Sequence, residues 1–128
     1  MTWVGKSLRR KEDERLIRGQ GLFTDDEQAP GMLHLYIVRS PYAHARILDV
    51  DVSAAEALPG VACTLTGREV AELCDPYMQL APGPAANICD LPMAVDKTVY
   101  QGEPVAAVAA TSAAIAMDAG QLIEIDYE

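Results

Sequence analysis

Cysteine, histidine, basic side chains and long apolar runs are all in short supply in this chain. Its three cysteines, Cys63, Cys74 and Cys89, are an odd number with no C-x-x-C pair and no neighbouring histidine. That excludes a closed disulfide framework and a four-thiolate zinc or iron–sulfur site. They are expected to be reduced, mostly buried thiols of a cytoplasmic protein. Basic residues number 10 against 19 acidic ones, a net charge of −9. Nucleic-acid binding needs a basic face that releases counterions, so no nucleic-acid partner is expected. The most apolar window, Val105 to Met117, is mostly alanine and is broken by Thr111 and Ser112. It falls short of the roughly 20 residues a membrane span requires. A signal peptide is not expected either, because Glu12, Asp13 and Glu14 stand where its apolar stretch would begin.

Half of the 128 residues are hydrophobic and 23% are charged, which suits a folded single domain. Charge is unevenly placed. Lys6, Arg9, Arg10, Lys11, Arg15 and Arg18 face only three acids within residues 1–20, whereas the other 108 residues hold four basic groups against sixteen acidic ones. A basic arm on an acidic body can dock on acidic surface or remain a solvated mixed-charge segment. Residues 1–31 show little periodicity and three turn signals, at Gly19-Gln20-Gly21, Asp25-Asp26 and Pro30-Gly31. They are expected to form an arm packing over a domain of residues 32–128.

In that domain Leu33, Leu35 and Ile37 alternate with His34, Tyr36 and Val38, the period of a strand that Ser40-Pro41 ends. A second strand pattern runs from Arg46 to Val52, with Leu48, Val50 and Val52 on one face and Asp49 and Asp51 on the other. Ser53 with Glu56 predicts a capping box opening a short helix, stopped by Pro59-Gly60. Val61, Cys63 and Leu65 alternate as a strand, and Thr66 with Glu69 predicts a second capping box and a helix to about Leu73. From Asp75 to Asp90 the prolines and glycine predict a long loop, which either binds something or is disordered. Then come a short strand near Thr98 and Val99, a turn at Gln101 to Pro104, a strand over Val105 to Ala110, a helix from about Ser112, and a strand over Ile123 to Tyr127. Gly120 costs about 1 kcal/mol against alanine inside a helix, so that helix is expected to end at Ala119. The sum is an α+β domain, a small mixed sheet with two or three short helices.

Fragments that imitate catalytic or metal motifs fail on their context. Gly5-Lys6-Ser7 has no room for the first glycine of a phosphate loop. Asp49 to Ser53 mimics a calcium loop but has Ala54 and Gly60 where glycine and glutamate are required. Gly19-Gln20-Gly21 has Thr24 in place of the last glycine of a dinucleotide fingerprint, so its work is a turn. His34 and His44 lack partners at ligand spacing and read as hydrogen-bonded structural residues. Asp25, Asp26 and Glu27 read as hydrated acids on a turn. No catalytic, cofactor-binding or metal-binding residue is therefore assigned. The densest stretch is Arg39-Ser40-Pro41-Tyr42-Ala43-His44-Ala45, which sets a guanidinium, a hydroxyl, a phenol and an imidazole on one turn. Such groups anchor interfaces, although Arg39 can equally pair with a carboxylate inside the domain.

Read in order, Val4-Gly5-Lys6-Ser7, Arg18-Gly19-Gln20-Gly21, Thr24-Asp25-Asp26, Arg39 to Ile47, Pro59-Gly60-Val61, Tyr100 to Ala106 and Ile123 to Glu128 form a familiar series. The chain resembles the α/β hammerhead domain of the molybdenum-binding large subunit in the xanthine oxidase, aldehyde oxidase and carbon monoxide dehydrogenase family. The resemblance implies an excised domain or split subunit of a molybdopterin-dependent oxidoreductase, inactive alone. Molybdopterin-bound molybdenum, iron–sulfur clusters and FAD are then expected elsewhere in the assembled enzyme, none in this chain. Its expected partner is the molybdopterin-binding domains or subunit, against which it packs. Expected contact residues are Arg39, Ser40, Tyr42 and His44 on one turn, Gln101, Gly102 and Glu103 on another, and the loop around Pro76 to Asn87. The other reading is a free-standing hammerhead module that binds a protein or small ligand without catalysis.

Overall fold

The computed structural model describes residues 4–78 and 89–128. Two compact units divide between Pro30 and Gly31. The first contains helix α1 (Asp13–Ile17) and a 3-10 turn at Thr24–Asp26. Arg15 pairs with Glu12 at 2.6 Å and Arg18 with Glu14 at 2.7 Å, so part of the basic excess is neutralised along one helical face. Of the acidic trio, Asp26 accepts a hydrogen bond from the Phe23 amide at 3.0 Å and closes the turn.

The second unit contains β1 (His34–Arg39), β2 (Ala45–Asp51), α2 (Ser53–Glu56), β3 (Val61–Thr66), α3 (Gly67–Leu73), β4 (Tyr77–Met78), β5 (Cys89–Asp90), β6 (Lys97–Thr98), β7 (Pro104–Ala110), α4 (Ala113–Gln121) and β8 (Glu124–Tyr127). The α+β class stands, with a more specific topology. The described strands form two three-stranded sheets, ordered β1-β7-β3 and β6-β2-β8, and a β4-β5 ribbon. Every described ladder is antiparallel. Both strand–helix–strand segments explain this: β2-α2-β3 and β7-α4-β8 each leave one sheet and enter the other, so neither returns a strand parallel to its start. The two ends of the expected 75–90 loop pair as β4 and β5, and residues 79–88 of that loop lie outside the described residues.

The core joins the sheets and two helices. Ala106 and Val108 of β7 pack with Ala55 of α2, Ala119 of α4 and Ile123, with Val38, Val50 and Ile125 around them. Ile47, Ala94 and Val105 form a second cluster. Burying a valine such as Val108 is worth about 1.5–3 kcal/mol. Alanine-rich β7 suits this position, because small side chains let helices approach the middle strand closely.

Three expectations change at this level. Helix α4 does not stop at Ala119 but continues to Gln121. A Cβ on Gly120 would fall within the Tyr36 ring, so the glycine's propensity cost is offset by close packing of α4 on β1. The Ser53–Glu56 capping box does not form. Ser53 lies inside α2, its amide donating to Asp51 Oδ1 at 2.8 Å, while Glu56 accepts from the Thr64 hydroxyl at 2.7 Å. The Thr66–Glu69 box does form, with the Thr66 amide donating to the Glu69 carboxylate at 2.7 Å. Finally, Cys63 and Cys74 are exposed rather than buried free thiols.

Apolar alternation located strands but misassigned faces. On β2 a bulge between Ile47 and Asp49 breaks the period, leaving Leu48 52% exposed while Ala45 and Ile47 are buried. On β1 the face under the helices is Tyr36 and Val38, and Leu35 stands 64% exposed.

Candidate functional site

The two turns expected to make contacts, far apart in sequence, are joined into one structure. The Ser40 amide donates to the Glu103 carbonyl at 2.9 Å, and the Gly102 amide donates to the Ser40 carbonyl at 2.9 Å. Arg39 Nη1 donates to the Gly102 carbonyl at 2.8 Å. Arg39 thus braces backbone instead of pairing with a carboxylate. Gly102 takes φ +89°, a left-handed conformation that glycine adopts without a Cβ penalty. Glu103 turns back to accept from the Val99 amide at 2.6 Å. The double turn is rigid because its backbone groups satisfy one another.

Its seven residues divide by exposure. Ser40 is buried, and its hydroxyl accepts from the Tyr42 amide and donates to the Tyr42 carbonyl, both at 3.0 Å. It shapes the turn from inside. Gly102 and Glu103 are half-buried, whereas Arg39, Tyr42, His44 and Gln101 are exposed. Neither His34 nor His44 has a side-chain hydrogen-bond partner among the described residues.

Two contributors escaped sequence reasoning. Thr98 is fully buried, and its hydroxyl accepts from the Ala45 amide at 3.2 Å, tying β6 to the strand that follows the first turn. A lone threonine beside a short strand carries no signal of that role. Tyr127 packs edge-on against Tyr42, ring centroids 5.2 Å apart. Its hydroxyl is buried with no hydrogen-bond partner among the described residues. Burial pushes the Tyr127 phenol above its ordinary pKa, with Tyr42 adding to the rise. The nearby Ser40 hydroxyl offsets part of it.

Chemistry beyond shape is meagre. No group of three metal-ligating side chains converges among the described residues. The two exposed thiols, Cys63 and Cys74, belong to different elements, and no hydrogen-bonded nucleophile–base pair accompanies either. A cavity of about 170 Å³ lies between β2 and the start of α3, with Ile47, Val50 and Ala94 on its walls and Asp49 and Arg68 at its edge. One carboxylate and one guanidinium there can hold a polar group but supply no redox centre. Among the described residues the donor set therefore does not fit an iron–sulfur cluster or a molybdenum centre. No helix in the described residues is long and apolar enough to cross a membrane.

Two three-stranded antiparallel sheets with short helices and a hydrogen-bonded double turn define a small α+β domain. Comparison with known proteins gives that class its family. Residues 18–128 match the family described as aldehyde oxidase and xanthine dehydrogenase, a/b hammerhead domain, and the chain belongs to it. It is 40% identical to the 6-hydroxypseudooxynicotine dehydrogenase complex subunit gamma of Paenarthrobacter nicotinovorans, over 98% of this chain and 16% of that protein. Identity to the carbon monoxide dehydrogenase large chain of Afipia carboxidovorans is also 40%, over 98% of this chain and 15% of the relative. Among solved structures, quinoline 2-oxidoreductase from Pseudomonas putida 86 superimposes with a TM-score of 0.87 at 44% identity, covering 97% of this chain and 16% of that one. The chain thus spans about one sixth of the length of the relatives it matches.

Proposed function

We propose that the chain serves as the hammerhead part of a cytoplasmic molybdenum hydroxylase-type oxidoreductase, contributing position and leaving catalysis to other polypeptide. Coverage carries this reading: nearly the whole chain corresponds to a segment making up 15–16% of enzymes named as dehydrogenases. Molybdopterin-bound molybdenum, iron–sulfur clusters and FAD belong, on this reading, to the remaining domains or subunits. The double turn is proposed as a contact with the molybdopterin-binding part. Its exposed Tyr42, His44 and Gln101 offer ring area and directed donors, while Arg39 and Ser40 hold the backbone rigid, which lowers the entropy lost on docking. Burial of polar groups on rigid elements suits a brace for a substrate channel better than a flexible lid.

The test is production of this chain with the molybdenum domains of its enzyme, on the same polypeptide or a separate one, followed by affinity purification and elemental analysis. Molybdenum is expected in the assembled material and not in the chain alone. Failure of the two to co-purify, or stoichiometric molybdenum in the chain alone, overturns the reading.

A further inference from the structure

The segment 41–44, which carries Tyr42 and His44, is held by few contacts of its own. Among the described residues its only hydrogen bonds are the two between the Tyr42 backbone and the Ser40 hydroxyl. Pro41 has no amide proton to add another. Regular structure resumes only at Ala45, where β2 begins. One serine hydroxyl therefore fixes the path of the segment, but it leaves the direction of the Tyr42 ring open, because that ring turns about side-chain bonds the backbone does not hold.

Tyr127 supplies the missing restraint. It stands opposite Ile47 in the β2-β8 ladder and packs against the cluster of Ile47, Ala94 and Val105, so its own ring is tied to the core. That ring meets Tyr42 with centroids 5.2 Å apart and planes at 70°, a favoured geometry for two aromatic rings. Tyr42 still keeps 52% of its surface in solvent. We propose that Tyr127 is the positioning residue of the double turn: its core-anchored ring fixes Tyr42 in one orientation, so that the exposed part of Tyr42 is presented preformed. The proposal deepens the contact given under Proposed function and rests on it, since a preformed side chain loses less entropy on docking. The ring does this work and not the hydroxyl. The Tyr127 oxygen is buried with no hydrogen-bond partner among the described residues, so phenylalanine at 127 would keep the contact the proposal needs.

Hydrogen exchange of the assembled enzyme, followed by mass spectrometry, tests this. Tyr127→Leu should speed exchange in peptides covering residues 40–45 by about threefold to tenfold, the size of an aromatic edge contact, and leave the β7 peptide at its wild-type rate. Tyr127→Phe should leave both peptides at the wild-type rate. In a Tyr42→Ala background Tyr127→Leu should add nothing. An unchanged 40–45 rate in Tyr127→Leu overturns the proposal, and so does equal acceleration of β7, which marks a general loss of stability. A Tyr127→Phe as fast as Tyr127→Leu overturns it in favour of the hydroxyl, and further acceleration in the Tyr42→Ala background overturns the route through Tyr42. Cross-linking of the same enzyme reads the docking contact separately. The absence of any cross-link from residues 40–45 or 100–104 to the molybdenum domains removes that contact without altering these exchange rates.

Discussion

One face of the β1-β7-β3 sheet presents Tyr36, Val38, Thr64, Ala106 and Val108 to α2 and α4, and on the other Leu33, Leu35 and Cys63 are exposed, Ile37 and Leu65 half-buried and Ala107 buried. The covered face is the more polar of the two. Its hydroxyls and phenol are accommodated by specific contacts: Thr64 donates to Glu56, and Tyr36 sits where Gly120 lacks a side chain. The partly exposed face has the cleaner apolar pattern. Intrachain burial therefore follows fit to the available helices, while Leu33, Leu35 and Cys63 of the apolar stripe stay exposed. An apolar stripe shows that a strand face wants cover without showing from which molecule it comes.

The comparison breaks hardest at Gly120. The substitution Gly120→Val places branched carbons in the Tyr36 ring and should destabilise the chain by about 3 kcal/mol in urea denaturation, as overpacking does. A loss below about 0.5 kcal/mol, the range of ordinary surface changes, would show that α4 does not press on β1 as described. Next comes a matched pair across the sheet. Val108→Ala should cost about 2 kcal/mol by opening a cavity under the helices, whereas Leu35→Ala should stay within about 0.5 kcal/mol in the chain alone. Equal losses would mean that both faces are covered within the chain.

The capping sites sharpen the same contrast between formed and unformed local devices. Thr66→Ala should cost about 1 kcal/mol, since its hydroxyl and Glu69 close a working box. Ser53→Ala should cost less, because the start of α2 is held by Asp51 through the Ser53 amide. The smallest effect concerns pH. Hydrogen bonds from Ser53 hold the Asp51 carboxyl below its ordinary range, so it stays ionised longer in the folded chain than in the unfolded one. Its stabilisation is fully present above the unfolded pKa of about 4 and disappears as pH falls through the lower folded value. Asp51→Ala should flatten that part of the stability profile, measured by denaturation at stepped pH. An unchanged slope would remove Asp51 from the cap.

Tyr42, His44 and Gln101 were recognisable as a cluster of directed groups on turns, and the Pro41 and Gly102 positions marked where the chain reverses. That the two turns interlock through Ser40, Gly102 and Glu103 was not recognisable, because backbone hydrogen bonds between residues so distant in sequence leave no local pattern. The exposure of Cys63 was missed for a related reason: a cysteine in an apolar alternation looks the same on either side of a sheet.

Residue order alone determined the approximate places of most strands and helices, the working cap at Thr66, the α+β class and the family, since period, turn chemistry and short motifs are local or serial properties. Only the tertiary structure decided which face of each strand is covered, that α4 runs through Gly120, and that both strand–helix–strand segments cross between sheets. Those outcomes depend on which surfaces meet. A bulge at Leu48 or a missing Cβ at residue 120 changes that meeting, and neither is marked in the apolar pattern of the sequence.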